Sequence, residues 1–225
     1  MSEKPQFKNA AREQLSILTP LEKLTLRWLA ERMPPWVNSD HLTLLGFAGM
    51  ILTGLSYYLA QFNRWFLLAG ILCLAVNWFG DSLDGTLARL RNRQRPRYGF
   101  YVDHIVDAFG IACLLAGFGL SGYMSPNIAM GFLIAYFLVN IEIYLATYTL
   151  GVFKLSYGVM GPTEMRVIVC IGNLVLLIKK NVRIGENDYL LGDVSGVVAI
   201  VVLLAIAIAS SIKNTKRLYN EERLP

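Results

Sequence analysis

Cysteine is scarce. The three that occur, Cys73, Cys113 and Cys170, all fall inside long apolar segments. Their spacing suits neither a disulfide framework nor a zinc site, so they read as small buried hydrophobes. A basic start followed by a short apolar core is also missing, so a cleavable signal peptide is not expected and the first apolar segment should stay as an anchor. No internal repeat stands out and no stretch is of low complexity, which favours one domain over an array.

Hydrophobic sequence is abundant. The chain has 225 residues, 55% of them hydrophobic, and its mean hydropathy is positive. Apolar runs near twenty residues are rare in a soluble domain of this size, and several occur here. We read an all-α integral membrane protein with six transmembrane helices: Leu42–Ala60, Trp65–Asp84, Phe100–Gly122, Ile128–Leu150, Thr163–Ile178 and Tyr189–Ile212. The fifth is short and stops at Lys179-Lys180, and the fourth carries Glu142. An acid inside a span needs a partner, and the site cavity is one place for it.

Most of the 21 Lys and Arg residues lie before the first span, between the second and third, and after the sixth. The positive-inside rule then puts both termini and the arginine loop in the cytoplasm, with the net charge of +5 gathered toward anionic headgroups. Nucleic acid is not an expected partner, because no folded basic domain is left outside the membrane. The expected localisation is the inner or plasma membrane of a prokaryote. The expected division is a cytoplasmic arm over 1–41, a membrane domain over 42–212 and a cytoplasmic tail over 213–225.

Within the arm, residues 1–15 read as a solvated tail. Apolar Ile17, Leu18, Leu21, Leu24, Leu26, Trp28 and Leu29 then mix with Glu22, Lys23, Arg27, Glu31 and Arg32. Thr19-Pro20 supplies a helix start and Pro34-Pro35 a stop. This is an N-terminal amphipathic helix, lying on the membrane interface or packed on the protein's own loops. Asn38, Ser39 or Asp40 caps the first span.

The stretch GDSLDGTLARLRNRQRPRYGFYVDHIVD, residues 80–107, brings four aspartates to the membrane edge. Asp81, Asp84, Gly85 and Ala88 follow spacings of three and four and share one helix face. Asp103 and Asp107 share a face of the next helix, with Gly99 one turn before them. A short loop makes the two helices antiparallel neighbours, so the pairs converge. Each acid deep in a membrane costs about 2.5–3.5 kcal/mol on insertion scales. Divalent cations with oxygen ligands offset that, and Mg²⁺ or Mn²⁺ prefers such a set. Two ions held by four aspartates would balance the charge and clamp a phosphoryl group. Small Gly85 and Ala88 leave room for a bulky ligand or for close helix packing, and Arg89 suits a phosphate or an aspartate.

The pattern D-x-x-D-G-x-x-A-R followed by G-x-x-x-D-x-x-x-D resembles the signature of the CDP-alcohol phosphotransferase family. Asp81, Asp84, Gly85, Ala88, Arg89, Gly99, Asp103 and Asp107 match all eight positions. The resemblance implies a homodimeric six-helix membrane enzyme that cleaves the pyrophosphate of a CDP-linked alcohol, transfers the phosphoryl group to an acceptor hydroxyl and releases CMP. It implies metal ligation by Asp81, Asp84, Asp103 and Asp107, with Asp107 also general base. Gly85 and Ala88 would line the CDP pocket, with Arg89 close by, and Gly99 belongs to the same CDP-binding motif.

Two directions exist among such enzymes. CDP-diacylglycerol can donate a phosphatidyl group to a small polar alcohol, or CDP-choline or CDP-ethanolamine can donate its headgroup to diacylglycerol. The compact chain favours the first, whereas His104, inside DHIVD, is similar to the second branch. Arg166, with Glu164 and His104, is a candidate acceptor contact, although Pro162, Thr163 and Glu164 also suit a plain helix start. A divalent-cation transporter is the alternative of another class. Transport usually needs ligands near the midplane with access to both sides, whereas these acids cluster at one face.

Overall fold

In the computed structural model, residues 11–13, 18–154 and 161–223 are described. Most of the tail expected over 1–15, the start of the amphipathic segment at Ile17 and the last two residues lie outside them. Among the described residues seven helices follow in order: α1 (Thr19–Glu31), α2 (Ser39–Ala60), α3 (Phe66–Leu90), α4 (Pro96–Leu120), α5 (Pro126–Leu150), α6 (Pro162–Ile178) and α7 (Leu191–Glu221). Two small pairings accompany them. Strand β1 (Ala11–Glu13) runs parallel to β2 (Val152–Lys154). Strands β3 (Asn181–Ile184) and β4 (Asn187–Leu190) form an antiparallel hairpin, whose turn uses Gly185 at φ +64.

Helices α2, α3, α4, α5 and α7 are long and apolar enough to cross a membrane. Their outward faces carry large apolar side chains such as Leu72, Phe109, Ile134, Leu145 and Val201, as a lipid solvent requires. The chain is an all-α multi-pass membrane protein. Helix α6 has 17 residues, or about 26 Å at 1.5 Å per residue, somewhat short of a hydrocarbon core of about 30 Å.

The expected starts and stops are borne out at several helices. Asn38 caps α2 by accepting from His41 N–H at 3.0 Å, and Pro162 opens α6. Four boundaries differ. α3 continues to Leu90 and α4 begins at Pro96, so nearly all the acid-bearing sequence is helical. α7 runs on to Glu221, well past Ile212, and Arg217 and Glu221 pair one turn apart at 2.8 Å in its last turns. Tyr189, expected to open the last span, sits in β4.

Small residues let α2 approach both neighbours. A Cβ at Gly49 would lie 2.8 Å from the Asn77 nitrogen of α3. Gly54 of α2 meets Gly117 of α4 backbone to backbone, so a side chain at either forces the helices apart. Asn77 Nδ2 then donates across the gap to the Gly46 carbonyl at 3.0 Å. Two buried clusters hold the bundle. One joins Tyr57, Leu67, Leu74, Leu114, Leu115 and Leu176. The other packs Leu26 and Ala30 of α1 against Leu42, Leu83 and Leu87 beneath the acids.

Candidate active site

Helical spacing brings the expected acids together on α3 and α4. Single carboxylate oxygens of Asp81, Asp103 and Asp107 all lie within 4.8 Å of one another. Asp84, one turn beyond Asp81, is not in this group. Its Oδ2 accepts from Thr43 Oγ1 of α2 at 2.5 Å, and Ser39 Oγ donates to its backbone carbonyl at 3.0 Å. Arg166 of α6 reaches the acids: Nη2 pairs with Asp81 Oδ2, and Nε donates to Asn77 Oδ1 at 2.9 Å. Asn77 thus braces both the α2–α3 contact and the guanidinium.

The other expected positions divide. Gly85 leaves space that only the tip of Arg89 borders, 3.4 Å from an added Cβ, and at Gly99 an added Cβ would meet nothing within 4 Å. Arg89 Nη2 donates to Thr86 Oγ1 at 3.1 Å. Ala88 lines a cavity of about 420 Å³ with Asn38, Ser39, Asp40, Arg93 and Arg95. Across its mouth Arg95 pairs with Asp40, and that hydrogen bond raises the guanidinium pKa above its ordinary value. Arg91 turns inward, donating to the carbonyls of Met33 and Pro34 at 2.9 Å each, so it clamps the turn after α1.

Glu164 closes the start of α6, accepting from Gly161 N–H at 3.0 Å, and it binds Leu18 N–H at 2.9 Å. This is the helix-start role, and it ties α6 to the entrance of α1. His104 Nδ1 donates to the Phe100 carbonyl at 2.6 Å, while its ring stacks on Phe100 at 4.2 Å and meets Tyr144 edge-on at 5.2 Å. Glu142 turns to α7, accepting from Ser210 Oγ at 2.8 Å and Asn214 Nδ2 at 2.6 Å.

Two features escaped the sequence reading. Tyr136, Asn140 and Tyr144 form a stripe four residues apart on α5. Its Tyr144 end meets the ring of His104, the residue after Asp103, edge-on at 5.2 Å. Their spacing was visible, but nothing in an apolar span says which face meets the acids. The second is Glu22 of α1, which accepts from Trp78 and Ser82 of α3 and from Thr163 of α6.

An oxygen-only cluster beside small residues and guanidinium groups suits binding and cleavage of a phosphate ester. Residues 36–211 match the sequence profile of the CDP-alcohol phosphatidyltransferases, and the chain belongs to that family. It is 30% identical over 143 residues to the archaetidylinositol phosphate synthase of Pyrococcus horikoshii, covering 64% of this chain and 72% of that protein. Identity to cholinephosphotransferase 1 of Gallus gallus is 26% over 175 residues, covering 74% of this chain and 50% of the relative. The phosphatidylinositol phosphate synthase of Streptomyces avermitilis is 30% identical over 104 residues, covering 46% of this chain and 38% of that protein. The chain therefore spans half or less of the last two. It is a transferase of phospholipid synthesis that works at a membrane on a CDP-linked substrate. An enzyme takes the place of the transporter alternative.

Proposed function

We propose that the enzyme transfers a phosphatidyl group from CDP-diacylglycerol to a small polar alcohol, with release of CMP. The observation that carries this is the meeting of Asp81, Asp103 and Asp107 at one end of α3 and α4. Three carboxylates gathered at the membrane edge, one of them paired with Arg166, fit a hard divalent cation. Asp81, Asp84, Asp103 and Asp107 would hold Mg²⁺ or Mn²⁺ as a pair of ions, Asp84 after leaving Thr43. Such ions, when bound, stabilise negative charge on the phosphoryl oxygens.

The chain's own residues do the rest. Gly85, Ala88, Arg89 and Gly99 surround the CDP moiety. Asp107 takes the proton of the acceptor hydroxyl as its oxygen forms the new bond to phosphorus. The phosphorus–oxygen bond to CMP breaks, and CMP leaves with that electron pair. Arg166, oriented by Asn77 and Asp81, contacts the acceptor with the rest of its guanidinium. His104 and Glu164 have structural partners and serve the acceptor through Phe100 and α6. The donor direction draws on the similarity to two synthases whose names end in inositol phosphate synthase, while the cholinephosphotransferase supports the reverse direction.

In this reading α6 is a sixth span, tilted little, and α1 lies at the interface with Leu21, Leu24 and Trp28 exposed at 64%, 70% and 53%. The arm 1–41, the domain 42–212 and the end 213–225 keep the expected cytoplasmic sidedness, in the inner or plasma membrane of a prokaryote, as a homodimer. The deciding experiment incubates purified protein and Mg²⁺ with a panel of CDP-alcohols and acceptors, following CMP and lipid product. We expect turnover of CDP-diacylglycerol with a polar alcohol. Turnover of CDP-choline or CDP-ethanolamine with diacylglycerol, and none of CDP-diacylglycerol, reverses the direction.

A further inference from the structure

Glu22 Oε1 is the meeting point of three elements. It accepts from Trp78 Nε1 at 3.1 Å, from Ser82 Oγ at 3.2 Å and from Thr163 Oγ1 at 2.6 Å. Ser82 follows Asp81 directly in α3. Thr163 lies three residues before Arg166 in α6, on the same side of that helix. Asp81 and Arg166 pair with each other. A closed circuit results, from Glu22 through Ser82 to Asp81, across to Arg166, and back through Thr163. Three donors on one carboxylate oxygen fix that oxygen strongly, because charge-assisted hydrogen bonds are about twice as strong as neutral ones. Helix α6 makes its other tie to the α1 entrance through Glu164 and Leu18.

We infer that Glu22 is a positioning residue for transfer, holding α3 and α6 at the separation that sets Asp81 against Arg166. The surface helix α1 thereby takes part in shaping the active centre. This rests on the metal-dependent transfer proposed above. A merely structural Glu22 would anchor α1, and its loss would reduce the amount of folded enzyme. A positioning Glu22 changes what each folded molecule does.

The test uses the full chain, purified in detergent and assayed with whichever CDP-linked donor the wild type turns over. A wrong donor assignment then shows in the wild type, and a wrong positioning assignment shows only in the variants. CMP release gives kcat and KM per folded molecule, and Mn²⁺ binding without substrate is measured alongside. Glu22→Ala is expected to lower kcat and to weaken Mn²⁺ binding by about tenfold or more, as loss of outer partners of a metal site does. Glu22→Gln keeps an accepting oxygen but loses the charge, so it should fall between the wild type and Glu22→Ala in both readouts. Thr163→Val removes one of the three bonds, leaves Trp78 and Ser82 on Glu22, and should shift both readouts in the same direction, which keeps the idea testable if Glu22→Ala folds poorly. Wild-type kcat and Mn²⁺ affinity per folded molecule in Thr163→Val and Glu22→Ala overturn the inference. So does a Glu22→Gln variant as impaired as Glu22→Ala.

Discussion

Arg166 Nη2 pairs with Asp81 Oδ2 across the gap between α6 and α3, while its Nε holds Asn77 Oδ1 at 2.9 Å. One planar guanidinium thus reads two side chains of a single helix, one turn apart. A lysine ammonium has neither the fork nor the reach to do both. Arg166→Lys is expected to lower kcat/KM for the acceptor roughly thirtyfold, the loss of a charged hydrogen bond worth about 2 kcal/mol. Steady-state kinetics with donor and acceptor varied in turn check this. An equal loss for the donor would move Arg166 to the nucleotide side.

Asp107→Asn should abolish transfer by about a hundredfold or more, the usual contribution of a positioned base. The amide keeps the shape of the side chain, so thermal unfolding should be little changed. Radiolabelled lipid synthesis in membranes is the measurement. Near-normal turnover would remove Asp107 from the base role.

Activity should vanish in excess chelator and return with Mg²⁺ or Mn²⁺, since unpaired carboxylates cannot stabilise a transferring phosphoryl group. Full turnover after exhaustive chelation, with metal content checked by elemental analysis, would end the cation argument.

Two glycines separate site from scaffold. At Gly117 an added Cβ runs into the Gly54 backbone, whereas at Gly85 it meets only the mobile end of Arg89, at 3.4 Å. Gly117→Ala should destabilise the bundle by about 1–3 kcal/mol, as overpacking does. Gly85→Ala should leave the unfolding temperature alone and raise KM for the CDP-linked donor. Melting curves in detergent alongside kinetics test both, and unchanged KM in Gly85→Ala would take Gly85 out of the pocket wall.

A single cysteine introduced between Arg91 and Arg97, in a background lacking the three native ones, should react with an impermeant reagent only from the cytoplasmic side. Labelling from outside intact cells would invert the orientation and the proposed route for substrates.

Much of this protein was legible in its residues because membranes simplify the problem. An apolar run of about twenty residues has few folded alternatives to a spanning helix, and spacings of three and four put acids on a common face. The eight motif positions therefore pointed to α3, α4 and their shared end before any coordinates. What periodicity leaves open is which oxygens meet. A face is broad, and neighbours distant in sequence decide where each side chain turns. Thr43 of α2 holds the Asp84 carboxylate, and three carboxylates, not four, close on one another. Ser210 and Asn214 claim Glu142 for α7. Glu22 meets partners 56, 60 and 141 residues away, a separation no local pattern encodes. Packing of α1 and α6 against α3 brings them within reach of one oxygen, and that contact exists only in the folded chain.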